Sequence, residues 1–181
     1  MKEHFFITGY PRSRTCWAAN LLSTQNSFCW HDGLYGLKRL EDIRLRLEQP
    51  EVPIVGLSDP AILLFWEHLA QWYPQARWVV ILRNVEDSYQ SMSEAAGRNM
   101  RHDFFLKMEQ VLAELLRVLE PLVIPFDSIT PQVARQLGSY LGINVGPKER
   151  VEQLCATNVQ VHDLKGRLEH YSPPQFILNL R

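Results

Sequence analysis

Seven consecutive residues near the amino terminus, Gly9, Tyr10, Pro11, Arg12, Ser13, Arg14 and Thr15, have the types that hold an anion. They follow a short apolar run, His4 to Thr8, and precede a helical pattern from about Ser13 to Ser23. A helix start offers unpaired backbone N–H groups and the positive end of the helix dipole, so it attracts negative charge. Gly9 lets the chain turn sharply there, and Pro11 stiffens the approach. Arg12 and Arg14 add charge-assisted, bidentate donors. The plainer alternative is a surface turn capped by Ser13.

Laid over the nucleoside-triphosphate pattern G-x-x-x-x-G-K-[ST], Arg14 falls on the second glycine, Thr15 on the lysine and Cys16 on the magnesium-holding hydroxyl. A thiol is a poor ligand for a hard, oxygen-seeking cation. The loop therefore keeps an anion cradle and lacks the metal apparatus of phosphoryl transfer. A transferable group with one charge rather than two, such as sulfuryl, makes less demand for a metal.

A second constellation is WVVILRNVEDSYQS, with Arg83 closing an apolar run and Ser91 eight residues on. That spacing puts Ser91 about two turns along a helix starting beside Arg83, so both can face one phosphate. The alternatives are an ion pair of Arg83 with Glu86 or Asp87 and a solvent-facing Ser91. Proton acceptors are offered by FCWHDGL (His31, Asp32) and GLSDPAI (Asp59). Asp32 also suits a turn with Gly33, and Asp59 suits a helix N-cap ahead of Pro60. His31 titrates near neutral pH.

The elements that must position these groups alternate. Strands are expected at His4–Thr8, Ser27–His31, Pro53–Ser58, Arg77–Arg83 and Leu122–Phe126, with Pro125 marking an edge or a strand end. Helices are expected at about Ser13–Ser23, Leu37–Glu48, Pro60–Trp72, Val85–Ala96, His102–Leu119 and Pro131–Leu141, with one more after Pro147. This pattern predicts an α/β fold: a single-domain three-layer α/β/α sandwich with a central parallel sheet. Ligands bind beyond the carboxyl ends of such strands, which places Gly9–Thr15, His31–Asp32, Ser58–Asp59 and Arg83–Asn84 around one rim. The aromatic residues, Trp17, Trp30, Trp66, Trp72, Trp78, Tyr35 and Tyr89, are read mainly as core, with Tyr35 and residues 94–108 bordering an acceptor.

With 181 residues, 46% hydrophobic and 22% charged, the chain suits one globular domain. A net charge of −1 provides no global field for nucleic acid or an anionic membrane, so any anion site is local. Cys16, Cys29 and Cys155 form neither a disulfide framework nor a zinc signature, and no apolar stretch is long enough to span a membrane. A cytoplasmic setting is expected, with no metal, nucleic-acid or membrane partner.

GYPRSRTCW resembles the 5′-phosphosulfate loop of sulfotransferases, x-x-P-[KR]-S-G-T-[TS]-[WL] after a strand, with Arg14 in place of the glycine. WVVILRNVEDSYQS resembles their second phosphate element, and WYPQARW resembles its F-P-x-A-K lead. VIPFDSITPQVARQLGSYLGI resembles a later strand, acidic turn and Leu-Gly helix; LKGRL, with Lys165 and Gly166, resembles the Arg-Lys-Gly element around the donor. The likeness runs from about residue 4 to 143, with 144–181 as an extension.

This resemblance implies a P-loop NTPase-like fold and metal-independent transfer of sulfuryl from 3′-phosphoadenosine 5′-phosphosulfate (PAPS) to a hydroxyl or amine of a small-molecule or carbohydrate acceptor. It implies that Gly9, Pro11, Arg12, Ser13, Arg14, Thr15 and Cys16 surround the 5′-phosphosulfate. Arg12 would stabilise the leaving phosphate, and Arg83 and Ser91 would hold the 3′-phosphate. FxxHDGL resembles a strand–His–Glu–Pro-Leu segment of carboxylate-based members, which favours Asp32 as base, then His31, with Asp59 a further candidate. A nucleoside or nucleotide kinase and a non-catalytic interaction module of the same fold are the rival readings.

Overall fold

The computed structural model describes residues 2–157. Five strands, β1 (Glu3–Gly9), β2 (Ser27–His31), β3 (Ile54–Ser58), β4 (Arg77–Leu82) and β5 (Leu122–Pro125), form one sheet in the order β2-β3-β1-β4-β5. All four pairings are parallel. The sheet therefore needs crossovers, supplied by helices on both faces. These are α1 (Thr15–Leu22), α2 (Asp42–Glu48), α3 (Trp66–Trp72), α4 (Val85–Ala96), α5 (His102–Leu119), α6 (Pro131–Leu141) and α7 (Lys148–Ala156).

Two buried clusters, one on each face of the sheet, give the three layers. Phe6, Val55, Leu57 and Val80 pack with Leu63, Leu69, Met108, Leu112 and Leu115 on one side. Phe5, Ile7, Val79 and Ile81 pack with Trp17, Leu21, Leu22, Leu137 and Leu141 on the other. The alternation of Phe5 and Phe6, or Val79 and Val80, between the clusters is the two-residue period of a strand covered on both faces. Trp17, Trp66 and Trp78 are buried, whereas Tyr35 is 52% exposed.

Three helices differ from the sequence reading. The first begins at Thr15, because Arg12 (φ 69°) and Arg14 (φ 58°) occupy the left-handed region and delay it. The helix expected from Leu37 begins at Asp42, after turns that pass through Gly36 at φ 77°. The helix expected over Pro60–Trp72 is a 3-10 turn, Pro60–Leu64, and then α3, parted at Phe65, whose φ of −150° and ψ of 27° leave the helical region. The remaining ends follow their signals. Asn84 caps α4 through Glu86 and Asp87 N–H, Thr130 caps α6 through Val133 N–H, and Gly142 ends α6 at φ 73°. Pro125 lies at the end of the edge strand, where its missing N–H costs least. Among the described residues no helix is long and apolar enough to cross a membrane.

At the amino ends of β2 and β3 lies a cleft of about 360 Å³ bordered by Ser23–Ser27, Ile54, Gly142–Gly146 and Arg150. Arg150 donates to the Asn20 (2.7 Å), Leu21 (3.2 Å) and Ser23 (3.2 Å) carbonyls and to that of Val145. Its cation closes the carboxyl end of α1 and ties it to α7. Arg150→Ala leaves these carbonyls without a donor and is expected to cost about 2 kcal/mol, read as a lower urea midpoint at unchanged slope.

Candidate functional site

The rim at the carboxyl ends of the strands is built by register. Ile7 and His31 both pair with Ser58, and Gly9 pairs with Ile81, so the ends of β2, β3, β1 and β4 lie side by side. The predicted rim segments are therefore together, with the loop 9–15 at the centre.

Gly9 serves there for a reason the sequence reading did not give. It has no positive φ; the left-handed turns fall on Arg12 and Arg14. A Cβ on Gly9 would stand 2.4 Å from the Ile81 carbonyl oxygen, so glycine allows β1 and β4 to close on the loop. Three further bonds hold the loop. Arg83 Nη1 donates to the Arg12 carbonyl at 2.9 Å, Ser88 Oγ donates to the Pro11 carbonyl, and Ser58 Oγ donates to the Thr15 carbonyl at 2.8 Å. Ser88, wholly buried, was missed from sequence. Its signal was available: Ser88 and Ser91 are three apart, hence on one face of α4.

Arg12 Nε donates to Ser91 Oγ at 3.4 Å, so Arg12, Arg83 and Ser91 meet across 79 residues of chain. The expected alternative, an ion pair of Arg83 with Glu86 or Asp87, does not form; Glu86 pairs with His102 at 2.8 Å. Burial, and next the nearby Arg83 charge, lower the Arg12 pKa from its usual value. Arg83 also lies over the Phe126 ring, 4.5 Å from its centroid, and Arg14 lies over the same ring at 5.4 Å. Phe126 is a site neighbour that sequence reasoning counted only as the end of a strand.

Ser13 carries the test of what the loop accommodates. Its side chain is fully buried, and its Oγ has no hydrogen-bond partner among the described residues. A buried unsatisfied hydroxyl is costly unless something pairs with it. At the start of α1, beside Arg12, a phosphate or phosphosulfate oxygen fits that need. Cys16 follows inside α1, with Asn20 Nδ2 3.6 Å from its sulfur, and Thr15 is buried with its carbonyl held by Ser58.

On the other flank of the loop, His31 Nε2 stands 3.4 Å from Asp32 Oδ1, with Asp32 in a left-handed turn at φ 49°. Arg46 donates to the Gly33 carbonyl at 2.9 Å and lies over Trp30, fixing that turn. Asp59 is buried and does act as an N-cap: Oδ1 accepts from Ala61 N–H at 2.9 Å and Oδ2 from Leu34 N–H at 3.4 Å. Burial above all, with the Asp32 charge adding to it, raises the Asp59 pKa to about 7. Lys165 and Gly166 lie outside the described residues.

Comparison with known proteins decides the family. A sulfotransferase domain model matches residues 46–154, more than half of the chain. The chain belongs to the sulfotransferase domain family. The match takes in Asp59, Arg83, Ser91 and Phe126 and begins after the loop 9–15, so the loop's likeness rests on its own residues. The fold is similar to that of mouse sulfotransferase SULT7A1, solved in complex with PAP, with a TM-score of 0.60 at 15% identity over 99% of this chain and 83% of that one. It is also similar to a gluconokinase from Sinorhizobium meliloti 1021, with a TM-score of 0.51 at 12% identity over 78% and 91% of the two chains. At such identities both likenesses describe the fold, P-loop-like in each case. No curated protein matches the sequence significantly.

Proposed function

We propose that this sulfotransferase takes sulfuryl from PAPS and passes it, without a metal, to a hydroxyl or amine of a small-molecule or carbohydrate acceptor. The observation that carries the reading is the orphaned Ser13 hydroxyl, buried at the start of α1 beside Arg12. The solved fold relative in complex with PAP, adenosine 3′,5′-bisphosphate, supports the same donor. PAPS would supply the activated sulfuryl group; the chain's residues would bind it, orient it and move one proton.

Ser13 and the amides at the start of α1 would hold the 5′-phosphosulfate, and Arg83 with Ser91 the 3′-phosphate. Arg12 would balance charge developing on the oxygen that leaves with the nucleotide. Asp32, 42% exposed at its side chain, has room to take the acceptor proton, with His31 beside it. Asp59, with both oxygens engaged by backbone N–H groups, would prop the 33–34 turn that carries Asp32.

The test is calorimetry with adenosine 3′,5′-bisphosphate in excess EDTA. Micromolar binding that ATP with magnesium does not displace is the expected result. Binding of ATP only with magnesium would favour the kinase reading, and binding of neither nucleotide would favour an interaction module.

A further inference from the structure

Arg14 stands where the loop pattern calls for glycine, and its backbone keeps a glycine's geometry, φ 58° and ψ 27°. A side chain makes that conformation strained. Capping does not offset the strain, because Arg14 is the N-cap of α1 yet its side chain makes no capping bond. The side chain's recorded neighbours lie in one direction. Its guanidinium lies over Phe126, just past the carboxyl end of β5, and its charge reaches Cys155 of α7. β5 lies beyond β4 from the loop, on the flank opposite β2 and β3. Arg14 therefore leans away from His31, Asp32 and Asp59.

Arg83 lies over the same ring. Two guanidiniums thus share one aromatic platform, and neither forms an ion pair with an acid among the described residues. A ring attracts each cation and neutralises neither. A phosphate monoester dianion supplies the missing charge, because its oxygens accept bidentate bonds from guanidinium forks.

We propose that Arg14, stacked with Arg83 on Phe126, is a ligand of the nucleotide's 3′-phosphate and makes the site selective for 3′-phosphorylated nucleotides. The proposal rests on the donor reading above. It gives Arg14 a place at the nucleotide end of the site, away from the sulfuryl group, so the missing glycine does not crowd the reaction.

Calorimetry in EDTA with adenosine 3′,5′-bisphosphate and adenosine 5′-phosphate tests it on the wild type, Arg14→Gly and Phe126→Leu. Arg14→Gly is expected to weaken the bisphosphate about tenfold and the monophosphate less than about twofold. It should melt at or above the wild-type temperature, since glycine adopts this backbone without strain. Phe126→Leu keeps both cations and loses their platform, so it should weaken the bisphosphate selectively and to a smaller extent. Loss of both nucleotides equally, or no loss of either, in Arg14→Gly overturns the assignment while leaving the donor reading intact. Failure of the wild type to bind the bisphosphate overturns both.

Discussion

Arg83→Ala is expected to weaken adenosine 3′,5′-bisphosphate binding by about a hundredfold, roughly 3 kcal/mol. Two losses combine in that figure. The first is a charge-assisted contact to phosphate, worth about 1.5–3 kcal/mol for a charged hydrogen bond. The second is the 2.9 Å bond from Arg83 to the Arg12 carbonyl, which fixes the loop while Arg12 holds its left-handed turn. Without that bond the loop must be ordered by the ligand, and binding energy is spent on ordering. Arg83→Lys separates the two contributions. A lysine keeps the charge but cannot bond the Arg12 carbonyl and a phosphate in one rigid fork, so an intermediate loss is expected. Calorimetry without metal reads both variants, and an affinity unchanged in Arg83→Ala would remove Arg83 from the site.

The sheet was legible because its strands carry strong local signals. Val79 and Val80, like Phe5 and Phe6, are continuous apolar pairs that only a strand covered on both faces can bury. Asn84, Thr130 and Gly142 marked helix ends through bonds to their own neighbours. What remained hidden depends on distant chain. Nothing local to Phe126 reveals that it underlies Arg14 and Arg83; the spacing of Ser88 from Ser91 gives its helix face but not its bond to Pro11, 77 residues away. Gly9 shows the same limit. Its type was read as turn chemistry, whereas the cause is the carbonyl of Ile81 on a neighbouring strand. The break at Phe65 was invisible for a related reason, since that side chain is buried in the core beside Leu63 and Trp66 and packing decides its backbone.

Asp59→Asn should flatten the pH dependence of stability between about pH 4 and 7. An aspartate titrates at 3.8 when unperturbed and at about 7 in this site. Below pH 4 the carboxyl is protonated in both folded and unfolded chains and carries no penalty. Between the two values the unfolded chain ionises while the native carboxyl keeps its proton. The unfolded state then binds fewer protons, so stability falls as pH rises. Above about 7 both states are ionised and the fold bears the whole cost of a buried carboxylate. Three units of difference put that cost at about 4 kcal/mol at most. The asparagine variant cannot ionise, yet its Oδ1 can still accept from Ala61 N–H, so the cap survives. Its amide would face the Leu34 N–H with a second donor, costing about 1 kcal/mol at every pH. Urea unfolding should therefore show Asp59→Asn less stable than wild type at about pH 3.5, level with it near pH 4.5 and more stable at pH 8. Parallel curves for the two proteins would mean that Asp59 is ionised in the native state throughout. Neither burial nor the Asp32 charge would then hold a proton on Asp59.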